Sequence, residues 1–158
     1  MRKQLTINYD WYSHWNTLSE TEKELVSLAQ NCMSKAYAPY SQFKVGASVL
    51  LENGQIICGN NQENIAYPSG TCAERVALFY ANANYPAIHV ETIVIVAEGD
   101  LISPEMCISP CGSCRQVIAE SEQRQGKDIS IILVAQNGET WRFSSIKDLL
   151  VFPFGVKN

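Results

Sequence analysis

The chain has 158 residues, of which 46% are apolar and 18% are charged, which suits one folded domain and excludes a disordered or low-complexity protein. Its net charge of -4 at pH 7 argues against a surface that binds nucleic acid, because such surfaces carry clustered basic residues. A small molecule is therefore the expected partner.

The beginning of the chain predicts no targeting segment. It has no apolar run long enough for a signal peptide, and no later segment approaches the length of a membrane span. We therefore expect a cytoplasmic protein without membrane contact. We also expect a single domain over residues 1–158, in which residues 1–18 form an N-terminal extension.

The first half of the chain predicts a helix and a β-hairpin. Ser19 stands three residues before Glu22, the spacing of a capping box, and apolar residues then recur with a helical period until Pro39 ends the helix. The next run, "FKVGASVLLENGQIICGNN", is typical of two strands. They join at Asn53 and Gly54, a pair suited to a tight turn because it tolerates positive φ.

The second half alternates helices with strands. After the loop "YPSGT", helical spacing in "CAERVALFYANAN" predicts a helix that starts at or near Cys72, and "CGSCRQVIAESEQRQ" predicts another after residues 99–110. The runs "ETIVIVAE" and "DISIILVAQ" are typical of buried strands, and "TWRF" of a short partner strand. This order predicts an α/β fold with a mixed sheet between helical layers.

The chain has six cysteines, which could form disulfides, pack as buried thiols, or bind a metal. A reducing compartment disfavours disulfides, so clustered cysteines indicate metal binding or catalysis. Cys72 and the pair Cys111 and Cys114 lie where helices begin, and a helix N-terminus stabilises the thiolate that binds zinc. Buried thiols stay an alternative, as does a four-thiolate structural zinc completed by Cys107.

Glu74 follows Cys72 by two residues. Such positions point to nearly opposite sides of a regular helix, so both side chains reach one metal only if Cys72 lies at the helix boundary. Three thiolates leave a fourth zinc position for water, and a nearby carboxylate can then shuttle its proton. Alternatively, Glu74 is a solvated residue of the first helical turn.

The pairing of "CAE" with "PCGSC" 39 residues later resembles the zinc-dependent cytidine deaminases of the small homotetrameric type. The resemblance implies a three-layer α-β-α sandwich around a five-stranded mixed sheet. It also implies one Zn²⁺ per subunit, held by Cys72, Cys111 and Cys114, with Glu74 as the catalytic proton shuttle. The implied reaction is hydrolytic deamination of cytidine and deoxycytidine in pyrimidine salvage, at sites between the subunits of a homotetramer.

The resemblance extends from about Lys35 to Gly155 and assigns further roles. It implies that Arg75 donates to the ligating sulfurs and that either Phe152 or Phe154 covers the base from a neighbouring subunit, with Phe154 favoured. Asn61 and Glu63 would bind the ribose hydroxyls. The complete set of implied substrate contacts is Phe43, Asn61, Glu63, Tyr67, Ala73 and Phe154.

Other interpretations stay open. Asn61 and Glu63 could simply cap a turn, and Arg75 and Arg115 could be surface cations, which is more to be expected of Arg115. The protein could deaminate a cytosine-containing nucleoside antibiotic instead. It could also be a structural zinc module or a ligand-binding protein without catalysis.

Overall fold

The computed structural model describes residues 1–155. Within these residues the regular elements are three α-helices, six strands and three short 3-10 turns. The helices are α1 (Glu20–Met33), α2 (Ala73–Asn84) and α3 (Gly112–Gln125). The strands are β1 (Asp10–Tyr12), β2 (Lys44–Leu51), β3 (Ile56–Asn60), β4 (Val90–Glu98), β5 (Ser130–Val134) and β6 (Thr140–Phe143).

All six strands form one sheet in the order β1-β6-β5-β4-β2-β3. β4 and β5 are parallel, and the other neighbours are antiparallel, so the sheet is mixed as predicted. Successive strand residues point to opposite faces. Val94 and Val96 therefore pack with α1 in one apolar cluster, whereas Ile93 and Ile95 pack with α2 and α3 in the other. This arrangement confirms the three layers.

The sheet has six strands, one more than the predicted five. The additional strand, β1, lies in the N-terminal extension and pairs with β6, where Asp10 is opposite Arg142 and Tyr12 is opposite Thr140. A strand of three residues is too short to show an alternating pattern, and its partner lies about 130 positions away in the sequence. Sequence periodicity therefore could not reveal it.

The helix starts agree with the local signals, but α1 ends at Met33, six residues before Pro39, which was expected to end it. The N–H groups of Lys35 and Ala36 bind carbonyls only three residues back, so the α-helix stops before the proline. Ser19 and Glu22 form the predicted capping box at the start of α1, and Gly54 occupies the hairpin turn with a φ of 83°. Among residues 1–155, none of the helices combines the length and the apolar character that a membrane crossing requires.

Candidate active site

Three cysteine sulfurs meet where α2 and α3 begin. Cys72 is the N-cap of α2, Cys111 is the N-cap of α3, and Cys114 lies in the first turn of α3. The Sγ atom of Cys111 is 3.9 Å from that of Cys72 and 3.4 Å from that of Cys114, and all three lie within 4.8 Å of one another. With Zn–S bonds of about 2.3 Å, a tetrahedral site places its sulfurs about 3.8 Å apart. The donor set therefore fits one zinc ion.

The electrostatics of the cluster also suit a cation. A hydrogen bond from the Cys114 thiol, with the Arg75 guanidinium and the Cys111 thiol, lowers the pKa of Cys72 to about 5. The resulting thiolate raises the pKa of Cys114, and burial and the Glu74 carboxylate add to this shift. Protein groups alone thus stabilise the thiolate of Cys72 and disfavour the ionisation of Cys114. A divalent cation bound to the sulfurs would lower the pKa of Cys114, because it favours ionised sulfur.

Glu74 is buried beside the sulfurs. It lies in the first turn of α2 with 4% of its surface exposed, and burial raises the pKa of its carboxyl above the usual value. The Cys72 charge raises this pKa further, which places the carboxyl close to the cluster. Among the buried side-chain nitrogen and oxygen atoms of residues 1–155, Glu74 Oε2 is one of three without a hydrogen-bond partner. A buried carboxylate oxygen of this kind is available to a ligand or a water molecule.

Cys107 does not join the cluster. It packs against the apolar core between the sheet and the helices, and burial raises the pKa of its thiol to about 11. In the described part of the chain, the group of possible metal ligands here consists of Cys72, Cys111 and Cys114. A zinc ion bound to these sulfurs would keep a fourth position that no cysteine fills.

A cleft of about 530 Å³ opens beside the cluster. It brings together five of the side chains that the sequence singled out, and it adds others from the loop before α2 and from the loop before β2. The former are Asn61, Glu63, Tyr67, Cys72 and Arg75, and the latter include Tyr40, Ser41, Gln62 and Thr71. Arg75 also lies against the cluster, with its Nη2 3.8 Å from Cys72 Sγ.

Asn61 and Glu63 already bind the protein itself. The Asn61 side chain accepts from the Val45 N–H at 2.8 Å and donates to the Phe43 carbonyl at 2.9 Å. The Glu63 carboxylate accepts from the Ser41 hydroxyl and from two backbone N–H groups of residues 40–41. Because an amide and a carboxylate have further capacity, these bonds leave room for a ligand.

Three predicted substrate contacts lie outside the lining of this cleft. The Phe43 ring lies against the backbone of Gly99. The Ala73 side chain is fully buried at the first position of α2, so only its backbone could reach a ligand. Phe154 is exposed and its backbone is bound to the outer side of α3. Their roles stay predictions.

Sequence reasoning missed Tyr40 and Ser41. Both follow Pro39 in a loop that carries no catalytic motif, and their contact with Glu63 spans more than twenty residues. The Tyr40 ring meets the Tyr67 ring edge-on, with 6.1 Å between their centroids. The only sequence signal for their place in the site was their position shortly before "FKVGA", from which Gln42 separates them.

Comparison with known proteins finds one family model, described as "Cytidine and deoxycytidylate deaminase zinc-binding region", that matches residues 19–127. A "Cytidine deaminase" of Sporosarcina psychrophila is 42% identical over 62% of this chain and 68% of its own length. A "Probable cytidine deaminase" of Dictyostelium discoideum is 34% identical over 81% and 80%, respectively. The crystal structure of cytidine deaminase from Burkholderia pseudomallei is 34% identical, covers 87% of this chain and all of its own, and has a TM-score of 0.71.

Proposed function

The chain belongs to the cytidine and deoxycytidylate deaminase family, and we propose that it hydrolyses cytidine and deoxycytidine to the uridine nucleosides and ammonia, as in pyrimidine salvage. One observation supports this proposal above the others. Three sulfurs lie at the spacing of a tetrahedral zinc site, and the buried, unpaired Oε2 of Glu74 lies beside them. A structural zinc site would use a fourth protein ligand and would leave this carboxylate without a partner.

The residues of the site have distinct proposed tasks. Zinc, when bound by the three sulfurs, supplies an acidic water that can act as a nucleophile near neutral pH. Glu74 takes one proton of this water and passes it to the ring nitrogen of the base, and it then carries the second proton, from the hydroxyl added to the ring carbon, to the departing ammonia. Arg75 donates to Cys72 Sγ and offsets part of the charge of three thiolates.

The substrate contacts in this proposal come from the cleft and from the start of α2. The N–H of Ala73 has no intrahelical partner, because it belongs to the first turn, and it can donate to the base carbonyl. Asn61 and Glu63 bind the sugar hydroxyls, while Tyr67 and Phe43 contact the nucleoside. Hydrogen bonds from Ser41 and from the Tyr40 N–H lower the pKa of Glu63, so the ionised carboxylate would repel a phosphate. Free nucleosides are therefore the preferred substrates over nucleotides and nucleic acid.

The proposal includes a homotetramer in which Phe154 covers the base in a neighbouring subunit. Exposed aromatic side chains support association: Phe79 and Tyr80 on α2, with Phe152 and Phe154 at the C-terminal end. A cytoplasmic location fits as well, because thiolate ligands require reduced cysteines. Light scattering that gave the mass of a monomer at assay concentration would contradict the tetramer.

Cytidine turnover and zinc content, measured on the same purified protein, test the proposed function. We expect one zinc per chain, a falling ultraviolet absorbance on mixing with cytidine, and one ammonia released per cytidine consumed. A panel of deoxycytidine, deoxycytidine monophosphate, cytosine, a cytosine-containing antibiotic and single-stranded DNA measures the preference for nucleosides. Zinc-loaded protein that leaves cytidine unchanged would contradict the proposal, and better turnover of the antibiotic would redirect it.

A further inference from the structure

One glutamine side chain binds both backbone groups of Phe154. Gln116 Nε2 donates to the Phe154 carbonyl at 2.7 Å, and the Phe154 N–H donates to Gln116 Oε1 at 3.1 Å. Both bonds go to the backbone, so the aromatic ring takes no part in them. Gln116 lies two positions after Cys114 in the first turns of α3.

The preceding residue, Arg115, binds the beginning of the same segment. Its Nη1 donates to the Leu149 carbonyl at 2.7 Å, while its Nε donates to the Pro110 carbonyl and its Nη2 to the Ser109 hydroxyl. The interpretation of Arg115 as a surface cation was therefore wrong. This guanidinium joins the turn before Cys111 to Leu149, which lies 34 residues after Arg115.

The segment between these two anchors is held in an unfavourable conformation. Phe152 has a φ of 63°, in the left-handed region that disfavours a bulky side chain, and it directly precedes Pro153. Phe152 and Phe154 are 92% and 83% exposed, so burial of their rings within the chain does not stabilise the segment. A backbone of this kind persists only when its surroundings fix it, and here anchors act on both sides.

We propose that Arg115 and Gln116 are positioning residues that fix residues 149–155 against the start of α3 and thereby present the Phe154 ring to the substrate site of a second copy. This inference rests on the proposed function, because it assigns to Phe154 a contact with the nucleoside in a neighbouring subunit. It adds that the two residues after Cys114 act on substrate binding without touching the substrate. The same short stretch thus positions a metal ligand in its own subunit and an aromatic contact for its neighbour.

Hydrogen exchange of the full-length, zinc-loaded protein tests the anchoring without an activity measurement. Gln116→Ala should increase exchange in residues 149–155, because the Phe154 N–H loses its acceptor. Phe154→Ala is the matched control: in the absence of nucleoside, when the ring has no ligand to contact, it should leave exchange there unchanged, because both bonds go to the backbone. Arg115→Lys keeps the charge but cannot span three acceptors, so it should also increase exchange. Unchanged exchange in Gln116→Ala or in Arg115→Lys would overturn the role of that residue.

Steady-state kinetics with cytidine test the effect on substrate binding. Phe154→Ala and Gln116→Ala should each raise KM roughly three- to tenfold, the range for one aromatic contact, with a smaller change in kcat and unchanged zinc content. Arg115→Lys should raise KM in the same direction. In a Phe154→Ala background, Gln116→Ala should have no further effect, because there is no ring left to position.

The outcomes separate this inference from the proposed function. If wild-type protein deaminates cytidine but Gln116→Ala has the same KM as wild type, the inference is wrong and the function stands. If Gln116→Ala lowers kcat by the same factor in the wild-type and the Phe154→Ala backgrounds, Gln116 has a structural role. This result would also overturn the inference. If wild-type protein does not act on cytidine, the proposed function fails, and the exchange experiment alone decides the anchoring.

Discussion

Glu74 and Cys72 can serve one site because Cys72 is an N-cap. Within a helix, their spacing of two residues would direct the side chains apart. Cys72 instead has an extended backbone, with φ and ψ of -72° and 153°, and the helix begins only at Ala73. Cys111 has nearly the same conformation before α3. The two N-caps therefore allow both helices to direct their positive ends and their first side chains to one point.

Glu74→Gln should remove activity but keep the metal. The amide has nearly the shape of the carboxyl but cannot take up and deliver a proton, so we expect kcat to fall by about 10²- to 10⁴-fold. Zinc content, measured by atomic absorption, should stay at the wild-type value because three sulfurs hold the ion. Turnover within a few-fold of wild type would show that Glu74 does not carry the proton.

Cys107→Ser should behave differently from Cys114→Ser. Cys107 packs in the core outside the sulfur cluster, so its replacement should leave zinc and deamination intact and cost about 1–2 kcal/mol of stability. Cys114→Ser removes one of the three proposed ligands and should lose most of the zinc together with the activity. Loss of zinc from the Cys107 variant would revive the four-thiolate alternative.

Two glycines set how closely the helices approach the β2–β3 hairpin at one edge of the sheet, from opposite faces. A Cβ on Gly46 of β2 would overlap the Ala29 carbonyl of α1 and lie 2.8 Å from Met33 Cβ. A Cβ on Gly59 of β3 would lie 2.5 Å from the Ala73 carbonyl and 2.7 Å from the Ala77 nitrogen of α2. Backbone atoms form both contacts, so a helix would have to move to relieve either of them.

Gly46→Ala and Gly59→Ala should therefore differ in function although both destabilise the protein. Each should lower the free energy of unfolding by about 1–3 kcal/mol, the range for overpacking a core, as measured by urea denaturation. Only Gly59→Ala displaces the start of α2, which carries Cys72 and Glu74, so only this variant should also lose zinc affinity and kcat. Equal losses of activity in the two folded variants would contradict this division between the two faces.

The starts of α2 and α3 were predictable from sequence because glycine and proline mark the preceding loops and the apolar period begins at a definite residue. The cysteine cluster followed from these starts. By contrast, some hydrogen bonds of the site join residues that lie 16 to 34 positions apart in the sequence. They link Asn61 to β2, Glu63 to residues 40–41, and Arg115 to Leu149. Such bonds depend on how the elements pack, which no local pattern records.

Arg142 of β6 is one of the residues that join the N-terminal extension to the rest of the molecule. This guanidinium binds Asp10 of β1 at 2.8 Å and Glu22 of α1 at 3.1 Å, and it lies over the Tyr12 ring at 5.3 Å from the centroid. Partial burial would raise the pKa of Glu22, but hydrogen bonds from Ser19 and Arg142 hold it below its usual value of 4.5. A carboxyl with a lowered pKa stabilises the folded state above its unfolded pKa, and this contribution disappears as pH falls through the folded pKa.

Glu22→Gln should therefore lose stability near neutral pH, and the loss should shrink as the pH falls through the lowered pKa of Glu22. Glutamine keeps the capping box but has no charge for Arg142, so we expect a loss of about 0.5–1 kcal/mol at pH 7 that shrinks as the solution is acidified. Glu20→Gln is the matched control: it removes the same charge from the same helical turn, but the Glu20 side chain is 92% exposed and pairs with Lys23. The difference between the variants, measured by urea denaturation from pH 7 to pH 3, reports the contribution of the ionised Glu22 carboxylate through its contacts with Ser19 and Arg142. A difference that stays constant over this range, or that does not shrink in high salt, would mean that the charge of Glu22 does not stabilise the folded protein.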